Sequence, residues 1–477
     1  MKFEEYNLDE TICQALHTLG YKEALPVQDA VIPHILKNKD VIVKSRTGSG
    51  KTASFAIPII QDLQWDEKAC QALVLSPTRE LALQIKEEFD NIGAYKRIKT
   101  IPVFGKQPFR FQVQDLKQRT HVVVGTPGRV LDHLQQGTFD VHNIRYIVID
   151  EADEMLNMGF IETIQSIFAY LPKTATVCMF SATLPEEIQS LANMFLKQPV
   201  LVEMKEHTTI NTNITHYAYR VKEHEKLDLL LKILCKECPE SCIIFAKTQE
   251  HVRQVCDYLY DQGISVDKLH GGMLQEDRFE NMKDFRLGRI RILVATDVAA
   301  RGIDVENVTH IINYDMPNKS EVYIHRIGRS ARLDKEGTAI TFVSEYDTQR
   351  LQELEDYLQT TLPIHDVNEL VSVNVDTEAL GRLGVPEIQK EEKGKEIRKD
   401  IMKLYLKGGK SKKIRAGDIV GAICEIDGVT ADDIGVIQVQ DHQSYVDILH
   451  GKGELVLQEL NKKTIKKKKV KVEKAKV

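Results

Sequence analysis

Three carboxylates within four positions, Asp150-Glu151-Ala152-Asp153, follow directly on the apolar run Ile147-Val148-Ile149. Such a β-branched run predicts a fully buried strand. Its C-terminal end would deliver the acids to the ligand crevice of an open parallel sheet, where a metal and a substrate could meet. Taken alone, the same acids serve equally well as a solvated turn. A second stretch tips the balance. Lys44 to Thr52 reads Lys-Ser-Arg-Thr-Gly-Ser-Gly-Lys-Thr, follows the run Val41-Ile42-Val43 and precedes an apolar segment beginning at Ala53. Strand, glycine-bearing loop, Lys-Thr and helix form a phosphate cradle. Backbone N–H groups wrap a β-phosphate, Lys51 neutralises charge, and the Thr52 hydroxyl reaches Mg²⁺. The acid at the second strand end, Asp150, would hold the metal that those phosphates require. Together the two stretches predict a nucleoside triphosphatase. The loop departs from the common pattern at its first position, Ser45 in place of Gly.

The elements that must position these residues alternate along the chain. Up to about residue 205, strand-like runs such as Ala72 to Leu75 and His121 to Val124 precede helical ones, Glu80 to Phe89 and Val130 to Leu134. That order predicts a parallel, doubly wound sheet. A chain of 477 residues is too long for one core and predicts about three domains. With 42% hydrophobic residues and no apolar run near 18, it reads as soluble, without membrane segment or secretory leader, hence cytoplasmic. The eight cysteines read as reduced; Cys235, Cys238 and Cys242 lack a fourth ligand at zinc spacing, so packing is the better reading. From Asp400 onward, 16 Lys/Arg stand against 11 Asp/Glu, a net of +5 that leaves −11 for the rest of a chain totalling −6. A basic appendage on an acidic body suggests a polyanionic partner.

Further polar groups end other strand-like runs: Pro77-Thr78-Arg79-Glu80-Leu81, Gly105, Thr126-Pro127-Gly128-Arg129 and Ser181-Ala182-Thr183. Each could donate to phosphate oxygens or simply cap a helix. Upstream, Gln28 could read both donor and acceptor edges of adenine, with Phe3 or Tyr21 stacking on it; each is also an ordinary capping or core residue.

In this order the motifs resemble those of a DEAD-box RNA helicase. The resemblance continues through Ile243 to Thr248, His270-Gly271-Gly272 with Gln275 and Arg278, Ala295-Thr296-Asp297 to Asp304, and His325 to Arg332. It covers some three-quarters of the chain. It implies two RecA-like lobes, 1–205 and 206–365, and an ATP- and Mg²⁺-dependent activity. Phe3 and Gln28 would select adenine, and Ser45, Arg46, Thr47, Gly48, Ser49, Gly50, Lys51 and Thr52 would hold the phosphates. Thr52 and Asp150 would hold Mg²⁺, Asp150 through water, and Glu151 would orient the attacking water. Ser181 and Thr183 would couple the ATP site to the RNA site, and Asp153 would be a further catalytic residue. Asp304 would meet the ribose, with Gly302 also binding the nucleotide, while Arg329 and Arg332 would be arginine fingers reaching the γ-phosphate and His325 a further catalytic residue. Pro77, Thr78, Arg79, Gly105, Thr126, Pro127, Gly128, Arg129, Thr248, Gln275, Arg278 and Thr296 would grip RNA sugar and phosphate. Ser330-Ala331 replaces the family's usual Thr-Gly, which puts the rate in doubt but not the activity.

Residues 366–399, with Glu391-Glu392-Lys393, read as a charged linker. From 400 to 477 a small α+β unit is expected, similar to an RNA-recognition (RRM) fold: Leu404 to Gly409 resembles its first-strand signature and Tyr445 to Ile448 its third. Tyr405 and Tyr445 would share a stacking face, although two strand tyrosines are as often a cross-strand pair. Lys410, Lys412, Lys413 and Arg415, with Lys466 to Lys469, would meet the RNA backbone; the lysine run could equally be a solubilising tail. This third unit resembles that of the DbpA type of DEAD-box helicase. That implies a monomer targeted to a 23S ribosomal RNA hairpin of the pre-ribosomal large subunit. The competing readings are a general messenger-RNA helicase, a DNA translocase and a non-catalytic ATP-dependent RNA clamp. Intact Glu151, Arg329 and Arg332 speak against the last.

Overall fold

The computed structural model describes residues 1–45, 48–204, 213–297, 308–330, 336–373, 375–386 and 394–475. These fall into two compact units, one holding 1–45 and 49–204 together with 394–475, the other taking in 213–386.

The first unit contains a seven-stranded sheet of β1 (Val41–Lys44), β2 (Ala72–Leu75), β3 (Thr100–Val103), β4 (Val122–Gly125), β5 (Tyr146–Ile149), β6 (Thr176–Ser181) and β7 (Val200–Glu203). Its order is β3-β4-β2-β5-β6-β1-β7, with every pairing parallel. Strands β2, β4, β5 and β6 are buried at every position, as a sheet covered by helices on both faces requires. Because β5, β6 and β1 are neighbours, their C-terminal ends bring Asp150, Ser181 and Ser45 to one edge.

The second unit holds β8 (Ile214–Arg220), β9 (Cys242–Phe245), β10 (Val266–Leu269), β11 (Ile292–Ala295), β12 (His310–Asn313), β13 (Gly337–Val343) and β14 (Ile364–His365). The order, β10-β11-β9-β12-β13-β8-β14, is again wholly parallel. Counted from each sheet's first strand, the two orders are the same. The chain therefore contains two doubly wound sheets of one topology, the RecA-like pair that the resemblance implied.

The third sheet, in the first unit, comprises β15 (Met402–Leu406), β16 (Ile434–Val439), β17 (Ser444–Ile448) and β18 (Val472–Lys474), ordered β16-β17-β15-β18 and antiparallel. Helices Ala416–Cys424 and Gly453–Leu460 complete a β-α-β-β-α-β arrangement. Leu404, Leu406, Val446 and Ile448 face these helices and pack with Ile419, Ile423, Val456 and Leu460. Strand alternation turns Tyr405 and Tyr445 to the other face.

The linker expectation needs correcting over its first half. The 3₁₀ turn Val367–Leu370 and the helix Thr377–Gly384 fold onto the second unit, burying Leu370, Ala379 and Leu383 in its core. Asp376 caps that helix by accepting from the Ala379 amide at 2.8 Å. Apolar residues spaced this sparsely in charged surroundings resemble tether, yet they suffice to dock a single amphipathic helix. Glu391, Glu392 and Lys393 lie outside the described residues. The lysine run is likewise no loose tail: Lys466 and Lys468 donate to the carbonyls of Lys413 and Lys412, joining the two basic segments into one patch.

Candidate functional site

The candidate phosphate loop begins where β1 ends. Gly50 has φ +90° and opens the helix Lys51–Asp62, a conformation and position suited to glycine. A Cβ there would lie 2.7 Å from both Gln28 Nε2 and Leu25 Cδ1. The closeness has a visible cause, because Gln28 is fully buried, donates to the Gly50 carbonyl at 3.3 Å and accepts from the Leu25 amide at 2.9 Å. The glutamine is thus bonded to the loop itself. Lys51 is buried and its Nζ donates to the Ser45 carbonyl at 3.1 Å, while the Ser45 and Ser49 hydroxyls share a hydrogen bond. Gly48, with φ +79°, stands exposed at the loop tip. Arg46 and Thr47 lie outside the described residues. Phe3 is buried, its ring 6.3 Å from Tyr6 and 6.1 Å from Tyr21, whose hydroxyl bonds Glu88.

At the end of β5 the carboxylates of Asp150, Glu151, Asp153 and Glu154 are all buried. Glu151 has φ +55° and precedes the short helix Ala152–Asn157. A non-glycine residue in the left-handed region carries strain, and such strain concentrates where a side chain must be aimed. Asp153 Oδ2 accepts from the Thr183 amide at 2.9 Å and from its hydroxyl at 3.1 Å. The Asp153 amide donates to Ser181 Oγ at 3.2 Å, and that hydroxyl donates to the Thr183 carbonyl at 2.6 Å. The acidic turn and the Ser-Ala-Thr turn therefore form one hydrogen-bonded clasp. Thr52 and Asp150 offer hydroxyl and carboxylate oxygens, donors that fit a hard cation such as Mg²⁺.

The remaining first-lobe candidates sit on adjoining loops. Thr78 caps the helix Arg79–Ile92 through the Leu81 amide, and Gly105 lies against Arg79, whose Nη2 would be 3.4 Å from an added Cβ. Thr126 and Pro127 start the helix Pro127–Gln135, with Gly128 exposed; Pro77 is buried just ahead of Thr78. Arg129 Nη1 donates to the Gln107 carbonyl at 3.0 Å and to Gln112 Oε1 at 3.1 Å. The same Gln112 oxygen is 3.0 Å from His133 Nε2, and the Phe109 ring stacks on His133 at 4.0 Å. Gln112 and His133, which sequence reasoning did not single out, hold Arg129 in place. Their signal was weak, since a polar residue on a helix is as often solvated.

In the second unit, Thr248 caps the helix Gln249–Asp261, Gln275 begins the helix Gln275–Arg286, and Arg278 is buried one turn along. Thr296 donates its amide to the Leu269 carbonyl. His325 lies on the helix Ser320–Ile327, and Arg329 follows it, buried. Gly302, Asp304, Ala331 and Arg332 lie outside the described residues. Two further residues of these motifs are structurally central: Arg326 bonds both oxygens of Asp297, at 2.6 and 2.8 Å, and also the Asp315 carbonyl at 2.9 Å. Asp315 accepts from the Lys247 amide, beside Thr248, from His251 Nδ1 at 2.8 Å and from Lys226 Nζ at 3.0 Å. Glu223, His251 and Asp315 could group around a metal among the described residues, but the Lys226 ammonium already bonds both carboxylates. Of the cysteine trio, Cys235 and Cys242 are buried in the apolar core, and burial pushes both thiols up.

On the third sheet Tyr405 and Tyr445 are directly opposed, ring centroids 5.6 Å apart, both half-buried. Gln443 Nε2 donates to the Tyr445 hydroxyl at 3.1 Å. Lys410, Lys413 and Arg415 are exposed and Lys412 half-buried on the turn that follows β15.

Comparison with known proteins fits this geometry. The DEAD/DEAH box helicase family matches residues 25–191, the helicase conserved C-terminal domain 225–334, and the DbpA RNA binding domain 403–474. The ATP-dependent RNA helicase DbpA of Bacillus subtilis is 50% identical over 474 residues, 99% of either chain. The DEAD-box ATP-dependent RNA helicase CshA of Geobacillus kaustophilus is 42% identical over 353 residues, 74% of this chain and 76% of its own. Among solved structures, Saccharomyces cerevisiae Dbp5 bound to RNA and ADP BeF3 is 27% identical, with a TM-score of 0.70 over 80% of this chain and 99% of that one.

Proposed function

This chain belongs to the DEAD-box ATP-dependent RNA helicases of the DbpA type, and from that premise we propose how its residues divide the work and which RNA it takes. The activity is RNA-dependent hydrolysis of ATP. In our reading Gln28 and Phe3 select the adenine, and the loop from Ser45 to Thr52 receives the phosphates. Bound Mg²⁺, held by Thr52 and Asp150, would supply charge neutralisation on the phosphate oxygens. Glu151, aimed by its left-handed backbone, orients the attacking water. His325, Arg329 and Arg332 belong to the other lobe, so the phosphoryl-transfer site is complete only on closure. Asp304 meets the ribose there, with Gly302 also binding the nucleotide. The RNA-facing loops are divided between the lobes too: Pro77 to Arg79, Gly105 and Thr126 to Arg129 on one, Thr248, Gln275, Arg278 and Thr296 on the other. A single strand gripped by both favours the closed state, and hydrolysis follows RNA. The clasp of Asp153 with Thr183 passes the state of the phosphates to those loops.

These contacts go to sugar and phosphate and carry little sequence preference. The target is therefore chosen by the C-terminal domain, and we assign it a hairpin of 23S ribosomal RNA, with the protein acting as a monomer on the assembling large subunit in the cytoplasm. The observation that supports this most is the Tyr405–Tyr445 pair beside the joined basic patch, in a chain alike to the Bacillus subtilis protein from end to end. The test is the RNA concentration giving half-maximal ATPase, for a 23S hairpin fragment and for poly-A. The full chain should prefer the hairpin, and a chain ended at Glu396 should keep maximal turnover but lose the preference. Equal values for the full chain would instead mark a general RNA helicase.

A further inference from the structure

The edge of the first sheet opposite Asp150 carries a feature that the ATP and RNA loops do not use. Gln71, Lys99 and His121 immediately precede β2, β3 and β4, which makes this the N-terminal edge of the strands. Here a cleft of about 800 Å³ opens between the sheet edge and the C-terminal domain, within the ~300–1,000 Å³ usual for ligand sites. Among the described residues six cationic side chains line it, Lys68, Arg97, Lys99, Lys117, Arg119 and Lys410, against one lining carboxylate, Asp140. Other acids are close by, Asp115 and Asp90 within electrostatic reach of Lys99 and Asp66 of His121. Asp432 is 3.3 Å from Arg97 Nη2, and the Glu67 carboxylate is bonded to the amides of Lys68 and Ala69.

The cleft is built rather than incidental. The exposed Trp65 ring has the Arg97 and Arg119 guanidinium carbons 5.2 and 5.6 Å from its centroid. Cation–π contact of this kind fixes two long side chains that would otherwise lose entropy on binding. His121, 1% exposed, fixes the Trp65 segment in turn. Its Nδ1 accepts from the Lys99 amide at 2.8 Å, so Nε2 carries the proton and donates to the Trp65 carbonyl at 2.9 Å. Pre-ordered guanidiniums among lysines suit phosphate oxygens, and like charges this dense repel one another until a polyanion arrives. Lys410 also belongs to the basic turn beside the tyrosine face, so one positive surface runs from that domain into the cleft.

We propose that this cleft is a second RNA contact, taking the phosphate backbone of the segment that flanks the element held by the C-terminal domain. It rests on that domain being the RNA-holding module, and it is indifferent to which RNA is held. The test uses the full-length protein with Arg97, Lys117 and Arg119 all changed to Gln, and a hairpin RNA with and without a flanking helix. Against the flanked hairpin the log–log dependence of affinity on salt should flatten by roughly 2, since each phosphate contact contributes about 0.7–0.9. The bare hairpin should bind the variant as it binds the wild type, and a short poly-A should drive both to the same maximal ATPase. Trp65 is the only tryptophan of the chain, so its emission should change with the flanked hairpin and not with the bare one. Unchanged slope and unchanged emission would overturn the proposal. So would an equal loss of affinity in Asp432→Asn, because the cleft would then be a latch between domain and lobe. A wrong assignment of the 23S target shows separately, as equal affinity for unrelated flanked hairpins, with the salt effect of the triple variant intact.

Discussion

Lys226 Nζ lies 3.0 Å from Asp315 Oδ1, in the positions that Lys51 and Asp150 occupy in the other sheet. Each lysine begins the helix after its sheet's first strand, and each aspartate follows closely on the fifth strand. In the first lobe the lysine stands at the end of a glycine loop that can admit phosphates. In the second, the connection from Val221 to Glu225 has no glycine, and the lysine bonds the acid directly. One topology thus carries a glycine loop with its lysine in one lobe and an internal ion pair in the other.

The two lysines should fail differently. Lys226 and Asp315 are both buried, and removing one partner of such a pair strands the other, at about 3–5 kcal/mol. Lys226→Met should lower the unfolding free energy of the second lobe by that amount. Lys51→Met should unfold like the wild type yet lose ATP binding and turnover. Urea unfolding beside an ATPase assay separates them; equal stability of both variants would refute the contrast.

Glu151 should trade stability against rate. Its φ of +55° is strained for any side chain with a Cβ, so Glu151→Gly should be as stable as the wild type or more stable by up to about 1 kcal/mol. Glu151→Gln should keep ATP and RNA affinity. Both should hydrolyse at least a hundredfold more slowly if the carboxylate orients water. Single-turnover rates with saturating RNA decide, and near-normal turnover by the glutamine variant would remove Glu151 from its role.

Arg329 is buried behind the helix Ser320–Ile327 and far in sequence from the phosphate loop. As an arginine finger it should matter to the transition state alone. Arg329→Ala, and Arg332→Ala in the same manner, should leave ATP affinity within a few-fold while turnover falls by roughly a thousandfold. A loss of RNA affinity with unchanged RNA-free hydrolysis would make these residues RNA contacts instead.

Acid should loosen the first lobe through two histidines. Burial lowers His121 to about 4, with Arg119 and Lys99 adding to the effect against the Trp65 carbonyl and Asp66; burial likewise lowers His133 to about 4, helped by Arg129. The unfolded chain, with histidine near 6.5, therefore binds more protons between pH 6.5 and 4. Their contribution is full above 6.5 and is lost as pH falls, by up to about 1.4 kcal/mol per pH unit for each. His121→Gln should flatten the fall of stability between pH 6.5 and 4.5; parallel curves would rule this cause out.

What could be read from the chain was whatever lies close together in it. Ser45 to Thr52 and Asp150 to Asp153 are contiguous, so residue type and spacing announce their chemistry, and runs such as Ile147-Val148-Ile149 announce a covered parallel strand. The shared strand order of the two sheets was not legible, because hydrophobic period reports an element's type and not its neighbours. Lys226 and Asp315 are 89 residues apart, and a lone lysine on a helix ordinarily means a solvated face. Leu370, Ala379 and Leu383 escaped notice for a related reason, being three apolar positions among charges. The opposition of Tyr405 and Tyr445 was readable, since β-strand alternation puts both on one face once the register is right.

That pair yields the last prediction. The helices cover the face carrying Leu404 and Val446, so the tyrosine face is not needed for the domain's core. The rings stand 5.6 Å apart and tilted by 59°, leaving the half-buried Tyr445 a surface on which a base can stack. Stacking is worth about 1–3 kcal/mol per base, and Tyr445→Ala should weaken the hairpin by roughly fivefold to a hundredfold or more. Tyr445→Phe loses only the bond from Gln443 and should stay close to the wild type. Changing Lys466 to Lys469 to Gln should instead weaken every RNA alike and flatten the salt dependence, because phosphates carry no sequence. Anisotropy titrations of hairpin and poly-A at several salt concentrations separate the two effects. Should Tyr445→Phe bind as poorly as Tyr445→Ala, the hydroxyl and not the ring face makes the contact. Should neither variant differ from the wild type, the tyrosines are only a cross-strand pair and recognition lies elsewhere in the domain.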